Sequence, residues 1–271
     1  MPDRDGPSHP VRGLVLDLDG VLWRGDRILP GVAPLFAWLH EHAVPFCLAS
    51  NNATLTIDRV MERLQGTSAS LGPEHLVTSA DAAAGYLKRA FDAPPPVFVI
   101  GEGILRQAIA GAGCTLVDRS EDAKVVVVGM DRQLTWAKLV EAGLAIAAGA
   151  RFIGTNPDRT FPTERGIAPG NGAILAALET ATGQAPVIVG KPEAEIFREA
   201  TRRLGVPPEQ TLVVGDRVET DIVGGQRAGM RTALVLTGVT SAADLRDHPE
   251  KPGLVFDGLP ELVAWLSRTT A

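Results

Sequence analysis

The chain has 271 residues, 45% of them hydrophobic and 21% charged, enough for one large or two modest globular domains with a substantial core. Its 26 Lys and Arg against 32 Asp and Glu give a net charge of −6, and no basic run is long enough to follow a nucleic-acid backbone, which excludes nucleic acid as the expected partner. There is no apolar stretch of about 18 residues, and the first ten residues are polar and Pro-containing, so neither a membrane span nor a secretory signal is expected and the cytoplasm is the expected location.

In chain order, an apolar strand over residues 11–16 ends in Asp17-Leu18-Asp19-Gly20 and a turn-rich stretch to Gly31. Val32, Leu35, Phe36 and Leu39 then recur at helical spacing, and residues 45–49 form a strand running into Ser50-Asn51-Asn52. This βαβ opening predicts a parallel sheet. An amphipathic segment over 55–64 and a strand over 76–79 follow. Beyond residue 80 the alternation restarts, with strands at 97–100, 125–128 and 152–154 and helices at 104–112, 136–148 and 174–182. The runs Pro94-Pro95-Pro96 and Gly183-Gln184-Ala185-Pro186 read as edges of an inserted module. The first pattern then resumes with a strand at 187–189, Lys191-Pro192, a helix at 195–204, a strand at 211–214, Gly215-Asp216, a helix to about 228, and strands at 232–236 and 254–256 before a last helix. The predicted architecture is α/β: a doubly wound parallel-sheet core over 1–78 and 185–271, carrying an inserted α/β cap over 79–184.

Cys47 and Cys114 are the only cysteines and form no C-x-x-C pair, so both are expected to be buried reduced thiols. The five histidines are scattered. Gly101-Glu102-Gly103 follows a strand, but Arg106 stands where a dinucleotide fingerprint needs its third glycine.

In an open parallel sheet, ligands bind beyond the carboxyl ends of the strands. Asp17, Ser50, Lys191 and Asp216 each stand where an apolar strand run stops, so the topology predicts that they share one rim. Asp17 and Asp216, from different strands, suit a hard cation such as Mg²⁺, which takes one or two carboxylates and keeps several waters. With charge neutralised there, Asp17 could act as a nucleophile toward phosphorus. Asp19 could give a proton to the leaving alkoxide and later take one from water. Lys191, the Ser50 hydroxyl and the backbone N–H groups after it, those of Asn51 and Asn52, could hold phosphoryl oxygens.

The ordered set Asp17-Leu18-Asp19-Gly20, Ser50-Asn51-Asn52, Lys191-Pro192 and Gly215-Asp216 through Thr220-Asp221 resembles the haloacid dehalogenase superfamily of phosphatases over almost the whole chain. The insertion, with Gly154-Thr155-Asn156-Pro157-Asp158 and Pro169-Gly170-Asn171-Gly172, resembles subfamily IIA, the NagD-like and 4-nitrophenyl-phosphatase-like proteins. The resemblance implies Asp17 as nucleophile and Asp19 as acid/base and, through its main-chain carbonyl, metal ligand. It further implies Asp216 as a metal ligand, Asp221 as support for the metal shell, and Ser50, Asn51 and Lys191 as phosphate contacts. Ser50 stands where many relatives carry threonine, and the hydroxyl is retained. The cap is then expected to choose the substrate through the loop over 156–171, with Asn156, Asp158 and Glu164 as candidate contacts, and a homodimer through the cap helices is a family-level expectation. The expected reaction is Mg²⁺-dependent hydrolysis of a small phosphorylated metabolite. A phosphomutase or phosphotransferase using the same intermediate and a receiver-like phosphoaspartate switch are the alternatives. Phosphoglycolate, glycerol phosphate, a nucleoside monophosphate, a sugar phosphate and pyridoxal phosphate all remain open as substrates.

Overall fold

The computed structural model describes residues 10–163 and 166–269. The chain divides into two compact units: the described residues of Met1–Ser50, Thr56–Val77 and Pro192–Ala271 form one, and Asn51–Leu55 with Thr78–Lys191 form the other.

The elements run β1 (Gly13–Leu16), a two-stranded ribbon β2 (Trp23–Arg24) and β3 (Arg27–Ile28), α1 (Val32–Glu41), β4 (Phe46–Ser50), α2 (Ile57–Arg63) and β5 (Leu76–Thr78). Helix α3 (Ser79–Ala90) opens the second unit. It is followed there by β6 (Pro96–Ile100), α4 (Gly103–Gly111), β7 (Thr115–Val117), β8 (Val125–Val128), α5 (Trp136–Ala147), β9 (Arg151–Gly154), β10 (Thr160–Thr163), β11 (Gly166–Pro169), α6 (Asn171–Thr182) and β12 (Val187–Ile188). The first unit resumes with α7 (Ala194–Leu204), β13 (Thr211–Gly215), α8 (Val223–Arg227), β14 (Arg231–Val235), α9 (Ala242–Asp247), β15 (Leu254–Phe256) and α10 (Leu259–Thr269).

The first unit is built on a six-stranded sheet in the order β15-β14-β13-β1-β4-β5. Strands β1, β4, β13, β14 and β15 pair in parallel, with Leu16 opposite both Val214 and Leu48. Every residue of β1, β4 and β13 is buried, as expected of strands covered on both faces by helices. The stripe Val32, Leu35, Phe36 and Leu39 is the buried face of α1. From β1 the chain builds outward on one side through β4 and β5 and returns to place β13 on the other. The β1/β13 boundary is therefore the topological switch point, where such sheets bind ligands.

The second unit carries its own five-stranded parallel sheet, β12-β9-β8-β6-β7, packed against α5 and α6 through Phe98, Val126, Val128, Phe152, Ile174 and Leu178. Its edge strand corrects the expected boundary at residue 185. Val187 and Ile188 pair with Ile153 and Gly154, so they close a β9-α6-β12 crossover in the cap sheet instead of starting the resumed core. Five further elements lie outside the sequence-based expectation: the ribbon strands β2 and β3, and α3, β7 and α9. The loop expected over 156–171 contains an antiparallel hairpin, β10–β11. Among the described residues no helix is long and apolar enough to cross a membrane.

Candidate active site

Asp17 is the first residue beyond β1, and its N–H donates to Val214 O (2.9 Å), extending the ladder to the neighbouring strand end that carries Asp216. Asp221 comes from a π-helical turn, Val218–Ile222, which starts two residues after Asp216. One carboxylate oxygen from each of Asp17, Asp216 and Asp221 lies within 4.8 Å of the others. Asp216 (4% exposed) and Asp221 (1%) are buried, while Asp17 is partly open. Like charges gathered away from water are costly unless a cation is shared among them. Three hard oxygens from three separate segments, with one side open for water and substrate, fit a divalent ion.

The backbone around Asp216 is shaped to admit its carboxylate. A Cβ at Gly20 or at Gly238 would overlap Asp216 Oδ2, and Gly20 also holds a positive φ of 82°. The Val239 N–H donates to the same oxygen (2.6 Å), Thr240 N–H donates to Asp216 O (3.0 Å), and the Thr237 hydroxyl donates to Gly20 O (2.6 Å). The segment 237–240 beyond β14 thus clamps Asp216 from one side and ties the Asp17–Gly20 turn from the other. Sequence reasoning missed it because, apart from the Thr237 hydroxyl, its contribution is backbone N–H and the missing Cβ of Gly238. The dipeptide Thr237-Gly238 at a strand end was the available signal. Gly215 has a matching role, since a Cβ there would overlap the side chain of Asp221, which accepts from Arg217 N–H (3.2 Å).

Asp19 is exposed, and its Oδ1 accepts from the indole N–H of Trp23 (2.9 Å). Ser50, the last residue of β4, is buried at 7% exposure.

In the second unit, Asn51, Asn156 and Lys191 form a connected group. Asn51 Nδ2 donates to Lys191 O (3.0 Å) and Lys191 N–H donates back to Asn51 Oδ1 (2.7 Å). Asn51 O accepts from the Ser79 hydroxyl (2.6 Å) and from Asn156 Nδ2 (2.9 Å). Gly190 is required here, because a Cβ would press on Thr155 O and Asn51 Oδ1. Lys191 itself is 4% exposed. Asn52 Oδ1 accepts from the backbone and hydroxyl of Thr54 (2.9 and 2.8 Å), an Asx-type turn.

The Asn51 carboxamide is engaged at both ends by Lys191 backbone. Asn156, expected to contact substrate, is 6% exposed, with Nδ2 on Asn51 O and Oδ1 accepting from Asp158 N–H (3.2 Å). Both carboxamides are thus held at nitrogen and oxygen by backbone groups, which braces this part of the second unit. Asp158 is partly exposed beside Asn156, and Glu164 lies outside the described residues.

Residues 14–115 match the haloacid dehalogenase-like hydrolase model, and residues 188–262 match a second, HAD-hydrolase-like model. The chain is 40% identical to the 5'-nucleotidase YutF of Bacillus subtilis, over 94% of this chain and 98% of that protein. It is 37% identical to the acid sugar phosphatase of Staphylococcus haemolyticus, over 95% of this chain and 97% of that protein. Among solved structures, the p-nitrophenyl phosphatase from Archaeoglobus fulgidus superimposes with a TM-score of 0.85 at 34% identity, covering 94% of this chain and 99% of that one. The chain belongs to the haloacid dehalogenase-like hydrolases, subfamily IIA, and is an enzyme of their phosphoric monoester hydrolase branch.

Proposed function

We propose that this enzyme hydrolyses phosphomonoesters of small metabolites with the help of Mg²⁺, passing the phosphoryl group through Asp17. The observation that carries this reading is the convergence of Asp17, Asp216 and Asp221 at the switch point of the sheet. The carboxylates of Asp17 and Asp216 and the main-chain carbonyl of Asp19 would hold the ion, with Asp221 supporting them. When bound, Mg²⁺ neutralises the charge that otherwise keeps an anionic nucleophile from an anionic phosphate.

The chain's own groups supply the rest. An Asp17 carboxylate oxygen attacks phosphorus and the bond to the ester oxygen breaks. Asp19 gives its proton to that departing oxygen, which leaves as an alcohol. Asp19, now a carboxylate, takes a proton from a water molecule that attacks the phosphorus, releasing orthophosphate and free Asp17. Lys191, the Ser50 hydroxyl and the backbone N–H groups of Asn51 and Asn52 orient the phosphoryl oxygens. The relatives named as a 5'-nucleotidase and an acid sugar phosphatase favour small polar phosphomonoesters as the substrate class, chosen by the cap with Asp158 and Glu164 as candidate contacts.

The test is phosphate release across a panel of metabolite esters. Activity should vanish with EDTA and return with Mg²⁺, Asp17→Asn should lose at least about 10³-fold in kcat, and acid quenching of the wild type with radiolabelled ester should trap label on Asp17. Turnover retained by purified Asp17→Asn would overturn the mechanism.

A further inference from the structure

We infer that Trp23 is a positioning residue for the proton-transfer group. Its indole N–H fixes Oδ1 of the Asp19 carboxylate, so that the proton given to the leaving group is carried on Oδ2. This deepens the reading of Asp19 as the general acid and rests on it.

The contact is built by the chain around it. Leu18 O accepts from the N–H groups of Val21 (3.3 Å), Leu22 (2.8 Å) and Trp23 (3.3 Å), and Gly20 N–H donates to Trp23 O (2.7 Å). This tight turn brings residue 23 back beside residue 19, where the two backbones form a bridge. The Trp23 ring is 2% exposed and is held from above by the Arg63 guanidinium, 5.0 Å from the ring centroid. Arg63 is itself anchored on Gly25 O (3.0 Å) and Asp26 (3.2 Å), so the far side of the ribbon locks the indole in place.

The chemistry follows from the donor. An indole N–H can only donate, so the Asp19 oxygen it meets must present a lone pair. When Asp19 is protonated, its carbonyl oxygen is the stronger acceptor, so the indole favours the tautomer that carries the proton on the other oxygen. An exposed carboxyl group otherwise rotates freely and spends its time in several orientations. Fixing one oxygen removes that freedom before the reaction, which is where positioned acids gain their advantage over acids in solution.

A buried indole also simply needs an acceptor, and that role alone would make the bond structural. Leaving-group dependence separates the two, because a 4-nitrophenolate departs with little help while an alkoxide departs only if protonated. The experiment compares kcat/KM, which covers the steps through phosphoryl transfer, for 4-nitrophenyl phosphate and glycerol phosphate. Trp23→Phe keeps an aromatic ring under Arg63 but removes the donor. It should lower kcat/KM for glycerol phosphate by about tenfold or more, within the range general acids supply, and leave that for 4-nitrophenyl phosphate within about twofold. An equal loss on both esters, or no loss on either, overturns the inference. Asp19→Asn is the reference. If it too shows no preference for the good leaving group, the general-acid reading of Asp19 fails and the inference with it, whereas a selective loss in Asp19→Asn beside an equal loss in Trp23→Phe rejects Trp23 alone. Should Trp23→Phe fail to fold by circular dichroism, benzothienylalanine at position 23 replaces the N–H by sulfur in a ring of the same shape. The two esters are then compared in that protein, where a selective loss on glycerol phosphate supports the inference and an equal loss or none overturns it.

Discussion

Asn51 and Lys191, 140 positions apart, hold one another by a reciprocal pair of hydrogen bonds, carboxamide to backbone in both directions. The arrangement mimics a short strand pairing and fixes the backbone from which the Lys191 side chain departs. Asn51→Ala removes both bonds, a loss of about 2 kcal/mol at about 1 kcal/mol each. If Lys191 binds phosphate as proposed, kcat/KM should fall by roughly 30-fold and the inhibition constant for orthophosphate should rise in parallel, since each 1.4 kcal/mol is about tenfold. Steady-state kinetics with orthophosphate as inhibitor checks this, and an unchanged inhibition constant removes the Asn51 side chain from any part in phosphate binding.

Gly238→Ala tests the clamp on Asp216. Its new Cβ would occupy the position of Asp216 Oδ2 and break the 2.6 Å bond from Val239 N–H. Displacing a group that orients a metal ligand costs about 10–100-fold in affinity. Calorimetric titration with Mg²⁺ should show that weakening while far-ultraviolet circular dichroism stays unchanged. Wild-type Mg²⁺ affinity in Gly238→Ala contradicts the clamp.

The thiols are expected to be silent. Burial pushes Cys47 up to about 12, opposed by the charge of Arg203, and burial also raises Cys114, opposed by Lys88. Both side chains are buried and free. Since thiolate is the reactive form, iodoacetamide at pH 8 should leave both unmodified and activity intact until the protein is unfolded, as mass spectrometry can show.

Glu199 gives the fold an acid-sensitive point. Burial favours its neutral form most strongly. That influence is outweighed by the bonds from Arg202 (2.8 and 2.6 Å) and Arg203 (3.0 Å) and by their charges, so the carboxyl is held below its ordinary value. Arg203 also donates to Pro73 O and Leu76 O, linking α7 to the start of β5 and the turn before it. With the folded value lowered, the stabilisation is complete above the unfolded glutamate value of about 4.3 and is lost as pH falls through the folded one. Glu199→Gln should lose about 2 kcal/mol near neutrality, lowering Tm by roughly 4–8 °C. The gap between the two proteins should close as pH drops below about 4, which differential scanning calorimetry across pH measures directly.

Much of the architecture was legible because its signals are local. Continuous apolar runs such as Thr211–Gly215 mark strands buried on both faces, and their alternation with helical periodicity announces a parallel sheet. Helix α3 is hard to read because alanines dominate its apolar face and leave no bulky stripe. Its boundary was written in Thr78 and Asp81, whose capping box closes in the structure. Strand β7 is only three residues long, below the length at which alternation is informative. The ending of the cap is equally hidden, since Val187-Ile188 reads the same whichever sheet it joins.

From the sequence alone came the identity and order of the chemical groups: acids at the ends of β1 and β13, a hydroxyl at the end of β4, a lysine before α7. Residue type and strand period are encoded within a few positions of each site. Tertiary structure alone decided how those groups are held. That Asn51 and Asn156 are spent on backbone, that Val239 and two glycines shape the seat of Asp216, and that Trp23 grips Asp19 all depend on hydrogen-bond geometry. Such bonds form or fail over a few tenths of an ångström, and no pattern along a chain specifies distance between segments that meet only when folded.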